Sequence, residues 1–129
     1  MSKKSYTGIN IQAPISQLIL NGKKTVETRT YPIPGKYLNQ EMLLIETPGK
    51  SGGFKARIIG IIKFTNCFQY GNKKEFYSQA NKHCVTSDSI WAWAEGEKWG
   101  WDVEVIKRID PVLDAPKIKG IKYTLNIQI

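Results

Sequence analysis

The chain has 129 residues, 41% of them hydrophobic, and its 19 Lys and Arg against 11 Asp and Glu give a net charge of +8. This length predicts one domain over residues 1–129, with a core large enough to fold without a metal or disulfides. Its two cysteines and one histidine exclude a four-ligand structural zinc site, so we expect no metal and no cofactor. Short apolar runs and a polar start predict a cytoplasmic protein without a membrane partner. We also expect a monomer.

Strand patterns dominate the chain. Alternation predicts a first strand over 7–11, and Pro14 then begins a short helix. Asn21-Gly22 ends this helix because glycine suits the left-handed position that follows a helix. Further predicted elements are strands over 25–31, 42–47, 56–68, 89–94, 100–108 and 121–127 and a helix over 73–83, with a bulge or bend at Gly60. Together they predict an α+β fold, mainly β, built as a partly open barrel.

Positive charge is concentrated in the front two thirds of the chain. Residues 1–84 hold 13 basic and 4 acidic side chains, whereas residues 85–129 hold 6 and 7. This asymmetry favours a polyanionic partner, although a solvated basic surface gives the same count. Only three of the cations are arginines, so each planar guanidinium is a candidate contact for a phosphate or a base edge.

The most informative segment runs from Leu20 to Arg29. Its residues Gly22, Lys24, Glu27 and Arg29 follow the spacing GxKxxExR, between a proline-led helix and a proline-rich loop. In this spacing and context the chain resembles the ASCH domain, the activating signal cointegrator homology domain. The resemblance is specific around the motif and extends more weakly through the predicted strand at 57–64 and the aromatic segment 91–101.

The resemblance implies a PUA-like fold, a small pseudo-barrel of about six strands with two or three short helices. The motif would line a cleft beside the first helix. ASCH domains are mostly RNA-binding or nucleic-acid-binding modules, which implies single-stranded RNA or a nucleotide or nucleoside as the partner. Some relatives are hydrolases that remove acyl groups from N4-acylcytidine, and a ribonuclease activity occurs in another. The fold alone does not choose among these functions.

The motif residues have a physical interpretation of their own. On the strand predicted over 25–31, alternation places Thr25, Glu27, Arg29 and Tyr31 on one face. We expect Lys24 and Arg29 to hold a phosphate and Glu27 to accept a hydrogen bond from an exocyclic amine or a ribose hydroxyl. A surface ion pair after a capped helix is the alternative interpretation. The predicted binding residues are Gly22, Lys24, Glu27, Arg29, Tyr31, Arg57 and Trp93.

A small hydrolase is the alternative function. Lys24 as a base or nucleophile requires a pKa lowered by burial or like charge, and Glu27 acts in the opposite direction. The acylcytidine-cleaving relatives carry a threonine where this chain has Glu27, so Thr25 on the same face is a candidate hydroxyl nucleophile. The catalytic residues of an amidohydrolase would be Lys24, Thr25 and Glu27. A ribonuclease, and a protein-interaction module for an acidic partner, are further alternatives.

Four tryptophans and one histidine complete the candidates. Trp91 and Trp93 share one predicted strand face, and Trp99 and Trp101 share another. Burying all four is difficult in so small a barrel, so we expect Trp93 to line the cleft and stack on a base. His83, the single histidine, is expected to have an ordinary surface or packing role.

Overall fold

The computed structural model describes residues 3–49, 52–90, 92–93, 96–116 and 122–129. Its strands are β1 (Ser5–Gln12), β2 (Val26–Arg29), β3 (Glu41–Thr47), β4 (Arg57–Gln69), β5 (Trp99–Asp114) and β6 (Tyr123–Gln128). Short helices follow β1 and β4, namely α1 (Ile15–Leu20), α2 (Lys73–Ser78) and α3 (Ala80–His83), and a 3₁₀ turn spans Gly35–Tyr37. None of the helices in these described residues has the length and apolar character needed to cross a membrane.

The six strands form one mixed sheet in the order β2-β5-β4-β3-β1-β6. β1 and β3 pair in parallel, and the other neighbouring strands pair antiparallel. β2 and β6 are the two edges and do not pair with each other, so the sheet is not closed, which is consistent with a small pseudo-barrel. The predicted small α+β fold, mainly β, is therefore confirmed.

The middle of the sheet is buried on both faces, which explains the continuous apolar runs of β3 and β4. Met42 and Leu44 belong to the main core, whereas Leu43 and Ile45 belong to a second cluster. Successive side chains of a strand point to opposite faces, so one strand serves both clusters. The register of β4 against β5 shifts at Gly60, which confirms the predicted irregularity there.

The structure corrects the prediction after α3. The described residues 89–90 and 92–93 are not in a strand, so the strand predicted over 89–94 is wrong for them. Trp91 lies outside the described residues. Tryptophans at alternate positions are typical of a strand, and this pattern led to the prediction. Trp93 instead packs edge-on against Phe76, with ring centroids 5.8 Å apart. The helix predicted over 73–83 divides at Gln79 into α2 and α3.

Glu46 on β3 attaches α1 to the sheet. Its carboxylate is only 1% exposed and accepts hydrogen bonds from Ser16 Oγ at 2.6 Å, Gln17 Nε2 at 2.8 Å and Arg57 Nε at 2.9 Å. Burial alone would raise the pKa of Glu46, but these hydrogen bonds and the charge of Arg57 outweigh it and hold the pKa below its ordinary value. The ionised carboxylate therefore stabilises the fold.

Glu46→Gln is expected to lower the free energy of unfolding by about 2 kcal/mol at neutral pH, because an amide cannot accept from all three donors. The contribution of Glu46 is complete above the ordinary carboxyl pKa and is lost as the pH falls through the lowered pKa of the folded state. Urea denaturation should therefore show the difference between wild type and variant shrinking below about pH 4.

Glu41→Gln is the matched control on the same strand. Glu41 is exposed, and its carboxylate lies 4.0 Å from the Lys4 ammonium, so its loss should change stability by less than about 0.5 kcal/mol. A Glu46→Gln deficit that does not vary with pH would contradict the role of the ionised carboxylate.

Candidate functional site

Glu27 on β2 is a buried carboxylate shared by two cations. Its Oε2 accepts a hydrogen bond from Arg29 Nη2 at 3.2 Å, and its Oε1 lies 3.6 Å from Lys24 Nζ. Oε1 also accepts the backbone N–H of Thr28 at 3.1 Å. Glu27 is only 5% exposed, and these contacts engage both of its oxygens within the protein itself. The structure thus brings together the three charged residues of the motif.

Lys24 points into the protein. It is 2% exposed, and its ammonium donates a hydrogen bond to the backbone carbonyl of His83 as well as facing Glu27. Burial lowers the pKa of Lys24, and the charge of Arg29 adds to the lowering, although Glu27 opposes it. The pKa of Lys24 is therefore lowered overall, as a lysine that acts as a base or a nucleophile requires.

Lys98 lies in the same buried region, directly before β5. It is nearly inaccessible, and its Nζ is 5.5 Å from the centroid of the Phe76 ring. Burial and the charge of Lys24 lower the pKa of Lys98, whereas Glu27 opposes the change. Glu27 therefore interacts with three cationic side chains, and two of them are lysines with lowered pKa values.

His83 has the packing role expected for it. Its ring is fully buried and stacks on Phe76 with centroids 4.1 Å apart. Nδ1 accepts the backbone N–H of Val85 at 2.9 Å, which places the proton on Nε2, 2.7 Å from the Phe76 carbonyl oxygen. Burial lowers the pKa of His83, so the neutral ring is favoured.

Arg29 connects this buried cluster to the open side of the barrel. Its side chain is 18% exposed, and its guanidinium carbon lies 5.6 Å from the centroid of the Trp101 ring. Trp101 also meets Tyr31 edge-on at 5.6 Å, and the Lys122 ammonium lies 4.2 Å from the Tyr31 ring centroid. Lys122 directly precedes β6, so the last contact joins the two edges of the sheet. We call this region the seam, comprising Arg29, Tyr31, Tyr37, Lys122 and Tyr123.

The seam holds two buried phenol hydroxyls. The hydroxyl oxygens of Tyr31 and Tyr123 are shielded from solvent and interact with each other. The Tyr123 ring packs against Tyr37 with centroids 4.8 Å apart. Burial and the hydrogen-bonding interaction with Tyr31 raise the pKa of Tyr123.

Arg57 and Trp93 lie elsewhere in the fold. Arg57 is paired with Glu46, and its guanidinium carbon is 4.2 Å from the centroid of the Phe54 ring. Trp93 packs on Phe76, and its indole N–H donates to the carbonyl of Gly96 at 2.9 Å. Their described contacts therefore do not place either residue in the seam.

Two smaller residues of the motif segment have clear roles. Gly22 adopts φ +82° directly after the α1 cap, which confirms the predicted left-handed end of the helix. Thr25 is exposed, and its described contacts are backbone hydrogen bonds to Lys82 and Val103. The hydroxyl of Thr25 is thus not part of the Glu27 cluster.

Four residues of the site were not predicted from the sequence, namely Tyr37, Lys98, Lys122 and Tyr123. The adjacent basic and aromatic residues Lys122-Tyr123, at the start of the last predicted strand, were an available signal. Lys98 offered none, because its proximity to Lys24 arises from strand pairing. Among the described residues, no group of three or more His, Cys, Asp and Glu side chains could hold a metal ion.

Solved structures of one bacterial protein share this fold. The crystal structure of ASCH from Zymomonas mobilis superposes with a TM-score of 0.68 over 93% of this chain and 86% of that chain, at 16% identity. A serine-to-alanine variant of that protein gives 0.66 over 97% and 90%, at 17% identity, and a tyrosine-to-phenylalanine variant gives 0.56 over 84% and 77%, at 18% identity. No family model and no curated protein sequence matches the chain. The chain therefore has the ASCH fold, as the motif predicted.

Glu27→Gln is expected to lower the free energy of unfolding by about 3 kcal/mol, because it leaves Lys24 and Arg29 without their counter-charge. Lys24→Met should cost less, since Glu27 keeps Arg29 and a buried charge is removed. In the double variant the loss should be smaller than the sum of the single losses, as measured by urea denaturation at pH 7. Strictly additive losses would show that these side chains do not act as one cluster.

Proposed function

We propose that this protein binds RNA or a nucleotide in a cleft built on Glu27, Arg29 and the aromatic rings of the seam. The observation that carries the proposal is the guanidinium of Arg29, which Glu27 fixes at 3.2 Å and Trp101 supports, and which remains partly open to solvent. A planar set of donors held in place is suited to a phosphate or a base edge. Lys24 supports this arrangement from inside the protein by balancing Glu27.

The surroundings of Arg29 support the same ligand class. Lys36 lies 5.1 Å from the ring centroid of Tyr37, and Lys122 lies over Tyr31, so cations and aromatic rings alternate around the seam. Rings that stack on bases beside cations that attract the backbone are typical of single-strand binding. The net charge of +8 favours approach of such a ligand. The motif resembles that of ASCH domains, which are mostly RNA-binding modules.

Arg29→Gln is expected to weaken the binding of a labelled single-stranded RNA, measured by fluorescence anisotropy, by roughly tenfold to a hundredfold. Arg29→Lys should cause most of that loss, because it keeps the charge but removes the planar fork. If about four phosphates are contacted, the log-log salt slope for wild type should be near −3.

Lys107→Gln is the matched control, because it removes one positive charge at an exposed position of β5 outside the seam. Its affinity should stay within about twofold of wild type. Equal losses in Arg29→Gln and Lys107→Gln, or an affinity that salt does not affect, would contradict the proposal.

Hydrolysis of an acylated cytidine-type nucleoside is the second candidate, and the burial of Lys24 favours it. The lowered pKa of Lys24 increases the neutral fraction of the amine, which can take a proton from a water molecule attacking the acyl carbon. Protonation of the exocyclic amine would then release cytidine and a carboxylic acid. Because Thr25 lies outside the cluster, Lys24 and Glu27 are the candidate catalytic groups.

Incubation with N4-acetylcytidine, followed by chromatography, tests this candidate. Wild type should release cytidine, faster as the pH rises through the lowered pKa of Lys24, and Lys24→Met should reduce the rate by about a hundredfold or more. Thr25→Ala should retain activity. No release of cytidine by wild type would exclude this reaction, and a protein with neither turnover nor RNA binding would favour an acidic protein partner.

A further inference from the structure

We propose that a second cavity, away from the seam, binds a medium-length aliphatic carboxylate. The cavity has a volume of about 370 Å³ and lies between Tyr6 of β1, Ile61 of β4, Ile129 and the β5 segment 107–113, and we call it the β5 pocket. Its apolar lining belongs mostly to the second hydrophobic cluster, whereas the seam packs against the main core on the other face of the sheet. The inference therefore goes beyond the proposed function and does not depend on it.

The wall of the β5 pocket is apolar and only partly covered by the chain. Ile61 is buried in the second cluster, and Tyr6, Ile109 and Ile129 pack against that cluster while remaining partly exposed. Leu113, which also lines the pocket, is 40% exposed. A ligand chain that covers these side chains removes their surface from water, which is favourable in proportion to the apolar area buried.

The irregular end of β5 shapes one side of the pocket. Between the pairs Ile58–Leu113 and Gly60–Arg108, four β5 residues lie opposite one β4 residue. Extra residues of this kind bend a strand and interrupt its ladder, and Pro111 among them has no N–H to donate. The contour that lines the pocket is therefore encoded in the pairing of the two strands.

Two cationic side chains line the β5 pocket. Lys107 is opposite Ile61 in the register of β4 and β5, so its side chain projects on the pocket face of the sheet. Arg108 is its neighbour, and neither side chain forms an ion pair with the described residues. Asp110 is the single acidic residue among the lining residues, so the lining has a net charge of +1.

Arg108 differs from the other two arginines of the chain in this respect. Arg29 pairs with Glu27 at 3.2 Å, and Arg57 pairs with Glu46 at 2.7 Å. The planar fork of a guanidinium matches the two oxygens of a carboxylate. Since no carboxylate of the described chain occupies the fork of Arg108, the polar end of the pocket selects an anionic ligand group.

The volume and the lining together define the body of the ligand. A cavity of about 150 Å³ accommodates benzene, so about 370 Å³ has room for roughly twice as many carbon atoms. The Tyr6 hydroxyl is the one uncharged polar side-chain group of the lining, so a base or a sugar would lack hydrogen-bond partners there. A straight chain of about eight to ten carbons that ends in a carboxylate fits both the volume and the charge.

Isothermal titration calorimetry with decanoate, kept below the concentration at which it forms micelles, tests the inference. Wild type should bind decanoate about a hundredfold more tightly than butanoate, because the shorter chain buries less apolar surface. It should bind decanoate about tenfold more tightly than decylammonium, which has the same chain and the opposite charge. Lys107→Gln should weaken decanoate binding by about threefold to tenfold while changing RNA affinity by less than about twofold.

Leu113→Glu is expected to weaken decanoate binding by about tenfold or more, because it adds a negative charge to the apolar wall at an exposed position. Val112→Glu is the matched control. Val112 is 48% exposed and lines a separate cavity of about 160 Å³, so this variant should lose less than about threefold. Equal losses in the two variants would contradict the β5 pocket as the site.

The remaining outcomes separate the β5 pocket from the seam. In ¹⁵N-labelled protein, decanoate should shift the side-chain Nε–H signal of Arg108 and leave that of Arg29 in place. Absence of saturable decanoate binding, or equal binding of decanoate and decylammonium, would overturn the inference and leave the proposed function intact. In sedimentation velocity, a wild-type dimer that Leu113→Glu dissociates would identify a second copy of the chain as the occupant and refute the carboxylate.

Discussion

The candidate site depends on the carboxylate of Glu27, which pairs with both Lys24 and Arg29. One oxygen faces Lys24 and the other accepts from Arg29, so a single buried anion holds two cations in fixed positions. Lys98 lies close enough that the negative charge of Glu27 also acts on the pKa of Lys98. Because these groups are shielded from water, their attraction and the cost of leaving any of them unpaired are larger than at the surface. The position of Arg29 at the seam therefore depends on Glu27.

This arrangement divides the motif into an inner and an outer part. Lys24 belongs to the inner part, where its ammonium donates a hydrogen bond to the His83 carbonyl of α3. Burial lowers the pKa of Lys24, which suits acid–base chemistry. Arg29, beside Tyr31, belongs to the outer part, whose donors suit recognition. The two proposed functions thus use different ends of one ion-pair cluster, and binding at the outer part does not require chemistry at the inner part.

Local features of the fold could be predicted from the sequence, because they depend on neighbouring residues. The left-handed Gly22 and the motif strand are examples, since a glycine after a helix and side-chain alternation act over a few positions. The burial of Lys24 could not be predicted, because it depends on α3, about sixty residues further along the chain. The same holds for Tyr123, which the strand order brings to the seam. Trp93 shows that a tryptophan in an alternating pattern can lie outside a strand.

The central claim is that Arg29 is the guanidinium that meets the ligand. The chain has three arginines, so the side-chain Nε–H groups of ¹⁵N-labelled protein give three NMR signals, which Arg→Lys variants assign. On titration with a nucleoside 5′-monophosphate, the account predicts that the Arg29 signal shifts while those of Arg57, paired with Glu46, and Arg108 stay in place. A shift of Arg57 or Arg108 with Arg29 unchanged would contradict it.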